Sequence, residues 1–161
     1  MNTFTLVHVV ISLIGIVSGI VVLLGFLSAK RLDGWNAIFL ITTVLTSVTG
    51  FLFPFHKLLP SHILGAMSLV VLAFALFARY VRRMAGPWRR TYAITSSIAL
   101  YFIVFVLIAQ MFQKIPALKS LTPTQSEPPF LVVQLVCLVL FTVLTILAAI
   151  KFRPETVVAA A

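Results

Sequence analysis

Three histidines, His8, His56 and His62, are the side chains of this chain best suited to chemistry near neutral pH. A neutral imidazole ligates haem iron, copper or zinc and also gives or takes a proton. Two histidines from different helices at similar depth suit the axial positions of a haem b, and His8 and His62 fit that depth better than His56, which stands further out in a loop. A non-haem transition-metal site would draw on His8, His56 and His62 together, with Glu127 as an oxygen ligand. A quinone needs one imidazole and one amide for its two carbonyls, and His8 or His62 with Gln110 or Gln134 would provide them. The bland alternative is that His56 and His62 are interfacial polar residues and that His8 hydrogen-bonds a neighbouring helix. No spacing decides between these readings, because the chain has no HExxH, no CxxCH and no close histidine pair on one helix.

The absences are more decisive. The three acids are Asp33, Glu127 and Glu155, and all lie outside the apolar runs. No intramembrane carboxylate is therefore present for proton-coupled transport, and acid-pair hydrolysis is disfavoured. No glycine-rich phosphate loop precedes a Lys-Ser or Lys-Thr pair, which argues against nucleotide-driven work. One cysteine, Cys137, rules out an intramolecular disulfide and a cysteine-rich metal site. No catalytic residue is legible, and an enzyme is the less favoured reading. No filter motif or ring-forming charge suggests a channel.

The elements that must position these groups are set by composition. Of 161 residues, 61% are hydrophobic and only 9% charged, so the chain lacks the charge to cover a water-facing surface. Five apolar runs, Leu6 to Leu27, Trp35 to Phe53, Ile63 to Tyr80, Thr91 to Phe112 and Phe130 to Ile150, each approach the ~20 residues of a membrane helix. The predicted fold is a single all-α domain over 1–161, a polytopic membrane bundle of five transmembrane helices. The first run reads as a retained span, since no cation precedes it and no small-x-small cleavage site follows.

Orientation follows from the cations. Lys30, Arg31, Arg79, Arg82, Arg83, Arg89, Arg90, Lys151 and Arg153 fall on one side, and Lys57, Lys114 and Lys119 on the other. The positive-inside rule makes the first side cytoplasmic, with the N-terminus outside and the C-terminal tail, 151–161, inside. Trp35, Tyr80, Trp88 and Tyr92 read as an aromatic belt at the cytoplasmic ends. The net charge of +9 is thus a topology and headgroup signal, and nucleic acid is not an expected partner.

All three histidines, Gln110, Gln113, Gln134 and Glu127 then belong to the outer half. At roughly 100° per residue, His8, Ser12, Gly15 and Gly19 share one stripe of the first helix, so His8 should face the bundle and the two glycines should admit a close neighbour. The second helix carries a hydroxyl face of Thr42, Thr46 and Thr49, flanked by Thr43 and Ser47, expected to bond carbonyls of the preceding turn. The outer loop, 113–129, contains four prolines and cannot be helical throughout. Within it, Ser126, Glu127 and Pro128 read as a capping hydroxyl, a first-turn acid and a first-turn proline.

The segments RLDGW (Arg31–Trp35), TGFLFPFH (Thr49–His56) and TQSEPPF (Thr124–Phe130) resemble a family of small bacterial multi-pass inner-membrane proteins of no established activity. That resemblance implies a compartment and no mechanism. The pattern around His8 and His62 is similar to small multi-pass proteins suspected of binding haem. The leading expectation is a redox or binding module whose outer pocket holds haem, a metal or quinone. The alternatives are a noncatalytic accessory subunit, with a membrane-protein partner or a second copy, and a small solute or lipid transporter. The last of these requires a polar path reaching the inner side.

Overall fold

The structure is a computed structural model that describes residues 3–53 and 60–154. His56, a candidate metal ligand, and Glu155 lie outside the described residues. The described chain is helical with no strand: α1 (Thr3–Leu27), α2 (Asp33–Gly50), α3 (Pro60–Leu76), α4 (Trp88–Lys114), α5 (Pro116–Leu121) and α6 (Pro128–Lys151). A π-turn, Phe77–Val81, continues α3.

Four helical stretches are long and apolar enough to cross a membrane, Thr3–Leu27, His62–Val81, Trp88–Lys114 and Pro128–Lys151. α2 has 18 residues and is less apolar, because its first turns hold Asp33, Gly34 and Asn36 and its last turns are rich in Thr and Ser. The loop 113–129 contains a short helix, α5, which Pro116 can begin because a first-turn proline loses no hydrogen bond.

α1 and α2 form an antiparallel hairpin. Lys30 donates its amide to the Gly25 carbonyl at 2.8 Å and Ala29 to that of Phe26 at 3.1 Å, with Ala29 at φ 56°. This is the Schellman stop of α1. From there the two helices run together for most of α1: Gly25 lies against Leu32, Gly19 against Phe39, Gly15 against Thr42, and His8 against Thr49 and Gly50. The stripe expected from the sequence does face a neighbour. A Cβ on Gly19 would stand 2.6 Å from Leu100 Cδ1 and 2.8 Å from the Phe39 ring, so this position holds α1, α2 and α4 together. Leu100 can rotate away, but the fully packed Phe39 ring has less freedom. Gly19→Ala is expected to destabilise the bundle by about 1–3 kcal/mol, measured as reversible unfolding in mixed micelles.

At one end, the last turn of α1, the first of α2, the last of α3, the first of α4 and the last of α6 converge. Phe26 stacks on Tyr92 at 5.6 Å and on Phe152 at 4.6 Å, and Arg89 lies over Phe152 at 4.2 Å. The core runs from there through Val22, Leu23, Phe39, Leu40, Leu72 and Leu100. α6 packs mainly along α4 and shows most of its surface outward. Only 17% of its most apolar stretch is buried, and Leu131, Val132, Val136, Leu140, Val143 and Ile146 are all exposed.

Candidate functional site

The best-defined histidine is His8. α1 brings it to the end of α2, where Nδ1 meets Thr49 Oγ1 at 2.8 Å. Thr49 donates its single hydroxyl proton to the Leu45 carbonyl at 2.6 Å. Its oxygen must therefore accept from His8, which assigns the imidazole proton to Nδ1 and leaves the Nε2 lone pair for a ligand or donor. Phe53 packs edge-on against the ring at 5.0 Å, and the ring's other neighbour is the bare backbone of Gly50. The imidazole is thus fixed in tautomer and in orientation.

His62 stands at the start of α3, buried, with its ring 6.0 Å from that of Phe51. Phe51 and Phe53 are two residues apart just beyond α2, so both histidines flank the same helix end. Phe51 also covers Gly65, whose added Cβ would meet that ring at 3.3 Å.

The glutamines group differently, at the α4–α6 seam. Gln134 is buried, and its Nε2 donates to the Phe105 carbonyl at 3.2 Å. Its Oε1 has no hydrogen-bond partner among the described residues, so Gln134 presents an acceptor rather than the donor a quinone carbonyl requires. Gln113 bonds Gln125 at 2.8 Å, and Gln125 bonds the Ala109 carbonyl at 2.8 Å. Gln110 is half-buried in the last turns of α4.

Glu127 is bonded within its own loop. Its carboxylate accepts from the Thr124 amide at 3.0 Å, the Thr124 hydroxyl at 2.8 Å and the Ser126 amide at 3.0 Å. Glu127 itself occupies the N-cap position of α6, with Pro128 following, so the expected hydroxyl cap from Ser126 is replaced by an acid that gathers the loop behind it. Among the described residues no three His, Cys, Asp or Glu side chains form a group able to hold a metal ion.

Desolvation raises the Glu127 pKa, but the hydrogen bonds from the Thr124 amide and hydroxyl and from its own and the Ser126 amide together outweigh it and hold the carboxyl below its ordinary value. A depressed carboxyl stabilises the folded loop above the unfolded pKa, and that contribution is lost as pH falls through the folded one. Residues 122–127 should therefore gain amide exchange as pH falls through and below the ordinary carboxylate range, where the carboxyl protonates. Glu127→Gln should show the faster exchange already at neutral pH.

A second polar site lies at the opposite end of the bundle, and the sequence reading missed it. Arg79, taken there as a surface topology cation, is buried in the π-turn, and its Nη2 donates to Asp33 Oδ1 at 2.6 Å. Its guanidinium lies 5.2 Å from the centre of the Tyr92 ring. Tyr92 is not a belt residue. It is fully buried, and its hydroxyl donates to Oδ1 of the equally buried Asn36, whose Nδ2 donates to the Leu32 carbonyl at 2.8 Å. The π-turn explains the inward guanidinium: the inserted residue lets consecutive Ala78 and Arg79 both face the core. The available signals were the lone acid opening α2 and the asparagine one turn later.

Between the two ends runs a file of buried hydroxyls. On α2, Asn36, Thr43 and Ser47 share one stripe, all buried. Ser47 donates to Ser68 of α3 at 3.3 Å, while Thr43, Thr46 and Ser96 have hydroxyls with no partner among the described residues. Thr42 and Thr49 bond their preceding turns as expected.

Two recesses stand out among the described residues. One, of about 490 Å³, is lined by Gly86, Pro87, Arg89, Arg90, Phe152, Arg153 and Pro154. The other, of about 340 Å³, is an apolar groove between α4 and α6 around Tyr101 and Phe141. Neither is lined by His8, His62, Gln110 or Gln134.

Compared with known proteins, the chain matches no family model, no curated protein and no solved structure. The likeness read from RLDGW, TGFLFPFH and TQSEPPF rests on those three segments alone.

Proposed function

We propose that the chain is a five-span protein of the bacterial inner membrane, N-terminus outside and C-terminus in the cytoplasm, whose outer end binds a redox cofactor through His8 and His62. The fifth span is α2. It runs beside α1 from Gly25 to His8, so it covers most of the thickness that α1 covers, and Asn36, Thr43 and Ser47 along it are buried in the bundle. The orientation rests on the cations gathered where α1, α3 and α6 end.

The observation that carries the cofactor reading is the Thr49–His8 hydrogen bond. An imidazole whose Nδ1–H is tied to a fixed oxygen presents Nε2 as a strong ligand, which is how a hydrogen-bonded neighbour prepares a histidine for a metal. A metal-centred cofactor such as haem b, which needs one or two protein ligands, is favoured over a bare transition metal, which needs three or four. A quinol, donating its hydroxyl to Nε2, is the other occupant this tautomer accepts. The test is an absorption spectrum of detergent-purified protein, oxidised and reduced, with metal analysis and quinone extraction on the same sample. The expected result is a bound group at close to one per chain that disappears in His8→Ala/His62→Ala. Folded protein without any such group would remove the proposal.

The buried hydroxyl file favours a second reading, a path for a small solute. It supplies the polar connection to the inner side that transport requires, in the stripe of Asn36, Thr43 and Ser47. Solute uptake into vesicles holding the purified protein, abolished by Thr43→Val/Ser47→Ala and unchanged in His8→Ala/His62→Ala, would establish transport over cofactor binding.

A further inference from the structure

We infer that the recess at the start of α4 is a binding site for the phosphate of an anionic phospholipid headgroup. Three guanidiniums line it, those of Arg89, Arg90 and Arg153, and no acid among the described residues does. Asp33, the acid at this end among the described residues, is engaged by Arg79 at 2.6 Å and by Arg31 at 3.6 Å. One further carboxylate, such as that of Glu155 two residues along from Arg153, neutralises at most one of the three cations. Guanidinium forks match phosphate oxygens in bidentate fashion, which lysines at a headgroup surface do not.

The site is built rather than merely charged. Arg89 is buried and its guanidinium is laid over the Phe152 ring at 4.2 Å, while Phe152 is itself locked against Phe26. Arg153, which lines the recess, is tethered by its Nε to the Ile150 carbonyl at 2.9 Å. Arg90 is exposed at the rim. The first-turn amides of Trp88, Arg89 and Thr91 are turned into their own turn, so the attraction is carried by the side chains and not by the helix end.

The volume, on the order of fifteen water molecules' share of liquid, exceeds what a single inorganic phosphate fills and suits a glycerophosphate group. The surroundings supply the tails. The exposed apolar face of α6 ends at Ile150, close by in sequence to Phe152 and Arg153, so acyl chains can lie along that face with the headgroup in the recess. The leaflet concerned is the cytoplasmic one, and only that detail rests on the orientation proposed above.

The test uses the full chain purified in neutral detergent, where sidedness plays no part. Native mass spectrometry would count bound phosphatidylglycerol and phosphatidylcholine in parallel titrations, with sodium phosphate as a third ligand and as a competitor. Wild type should retain phosphatidylglycerol preferentially, and Arg90→Gln/Arg153→Gln should weaken that retention roughly 10-fold or more, with phosphatidylcholine unchanged. Both replaced side chains are exposed, so the fold should survive. Arg82→Gln/Arg83→Gln removes the same charge from the same end but outside the recess, and should weaken retention far less. Equal losses in the two double variants would reduce the effect to surface charge and overturn the site. Saturable binding of sodium phosphate that is lost in the recess variant, with no discrimination between the lipids, would overturn the lipid as occupant.

Discussion

Asp33→Ala is expected to destabilise the bundle by about 3 kcal/mol, and Arg79→Met by about 1 kcal/mol or less, although the two remove opposite halves of one ion pair. The asymmetry comes from solvent. Asp33 has a side chain 64% exposed and stays hydrated without its partner, whereas Arg79, 7% exposed, would be left charged among Tyr92, Met84 and Ala78. Met fills the same stem volume with no charge to compensate. The double variant should therefore resemble Arg79→Met alone, a non-additivity that marks the two groups as one unit. Reversible unfolding in mixed micelles reads all three. If Arg79→Met were the most damaging of the three, the cation would be holding something other than Asp33.

Thr49→Val should lower cofactor occupancy 10- to 100-fold while leaving unfolding within about 1 kcal/mol of wild type. Valine keeps the shape but cannot accept from His8 Nδ1. The imidazole is then free to rotate and to change tautomer, so Nε2 no longer presents a fixed lone pair. Thr49→Ser keeps the oxygen and should restore most of the occupancy. Metal or haem per chain, determined on detergent-purified protein, distinguishes this from a packing effect. A valine variant that is fully loaded would show the Thr49 bond to be incidental to binding.

Much of the architecture is legible in the sequence because a membrane helix declares itself by length and apolarity alone. The runs at α1, α3, α4 and α6 qualify on both grounds. α2 is harder, since the same residues that fit it to the bundle, Asp33, Asn36 and its hydroxyls, lower its apolarity. The close face of Gly15 and Gly19 is also readable, because spacing on one helix determines which residues share a side. What no spacing reveals is which neighbour that face meets, and so the pairing of His8 with Thr49 was not foreseeable from either helix singly.

The polar site around Arg79 and Tyr92 was hidden for a different reason. Arg79 and Tyr92 stand where topology places cations and belt aromatics, and in most chains those side chains reach outward. Here a π-turn changes the facing of α3 just before its end, and Asn36 offers Tyr92 an acceptor inside the bundle. Both are tertiary facts. Gln134 shows the same limit: its place along the chain grouped it with the histidines, but its donor is committed to the Phe105 carbonyl across the α4–α6 seam.

Whether α2 crosses the bilayer decides which side each site faces, and cysteine labelling reads it directly. In a Cys137→Ala background, single cysteines at Lys30, before α2, and at Leu52, after it, would be challenged with a membrane-impermeant maleimide on intact and permeabilised cells. Leu52→Cys should label in intact cells and Lys30→Cys only after permeabilisation. Labelling of both from the same side would contradict a spanning α2, and with it the outer placement of His8 and His62.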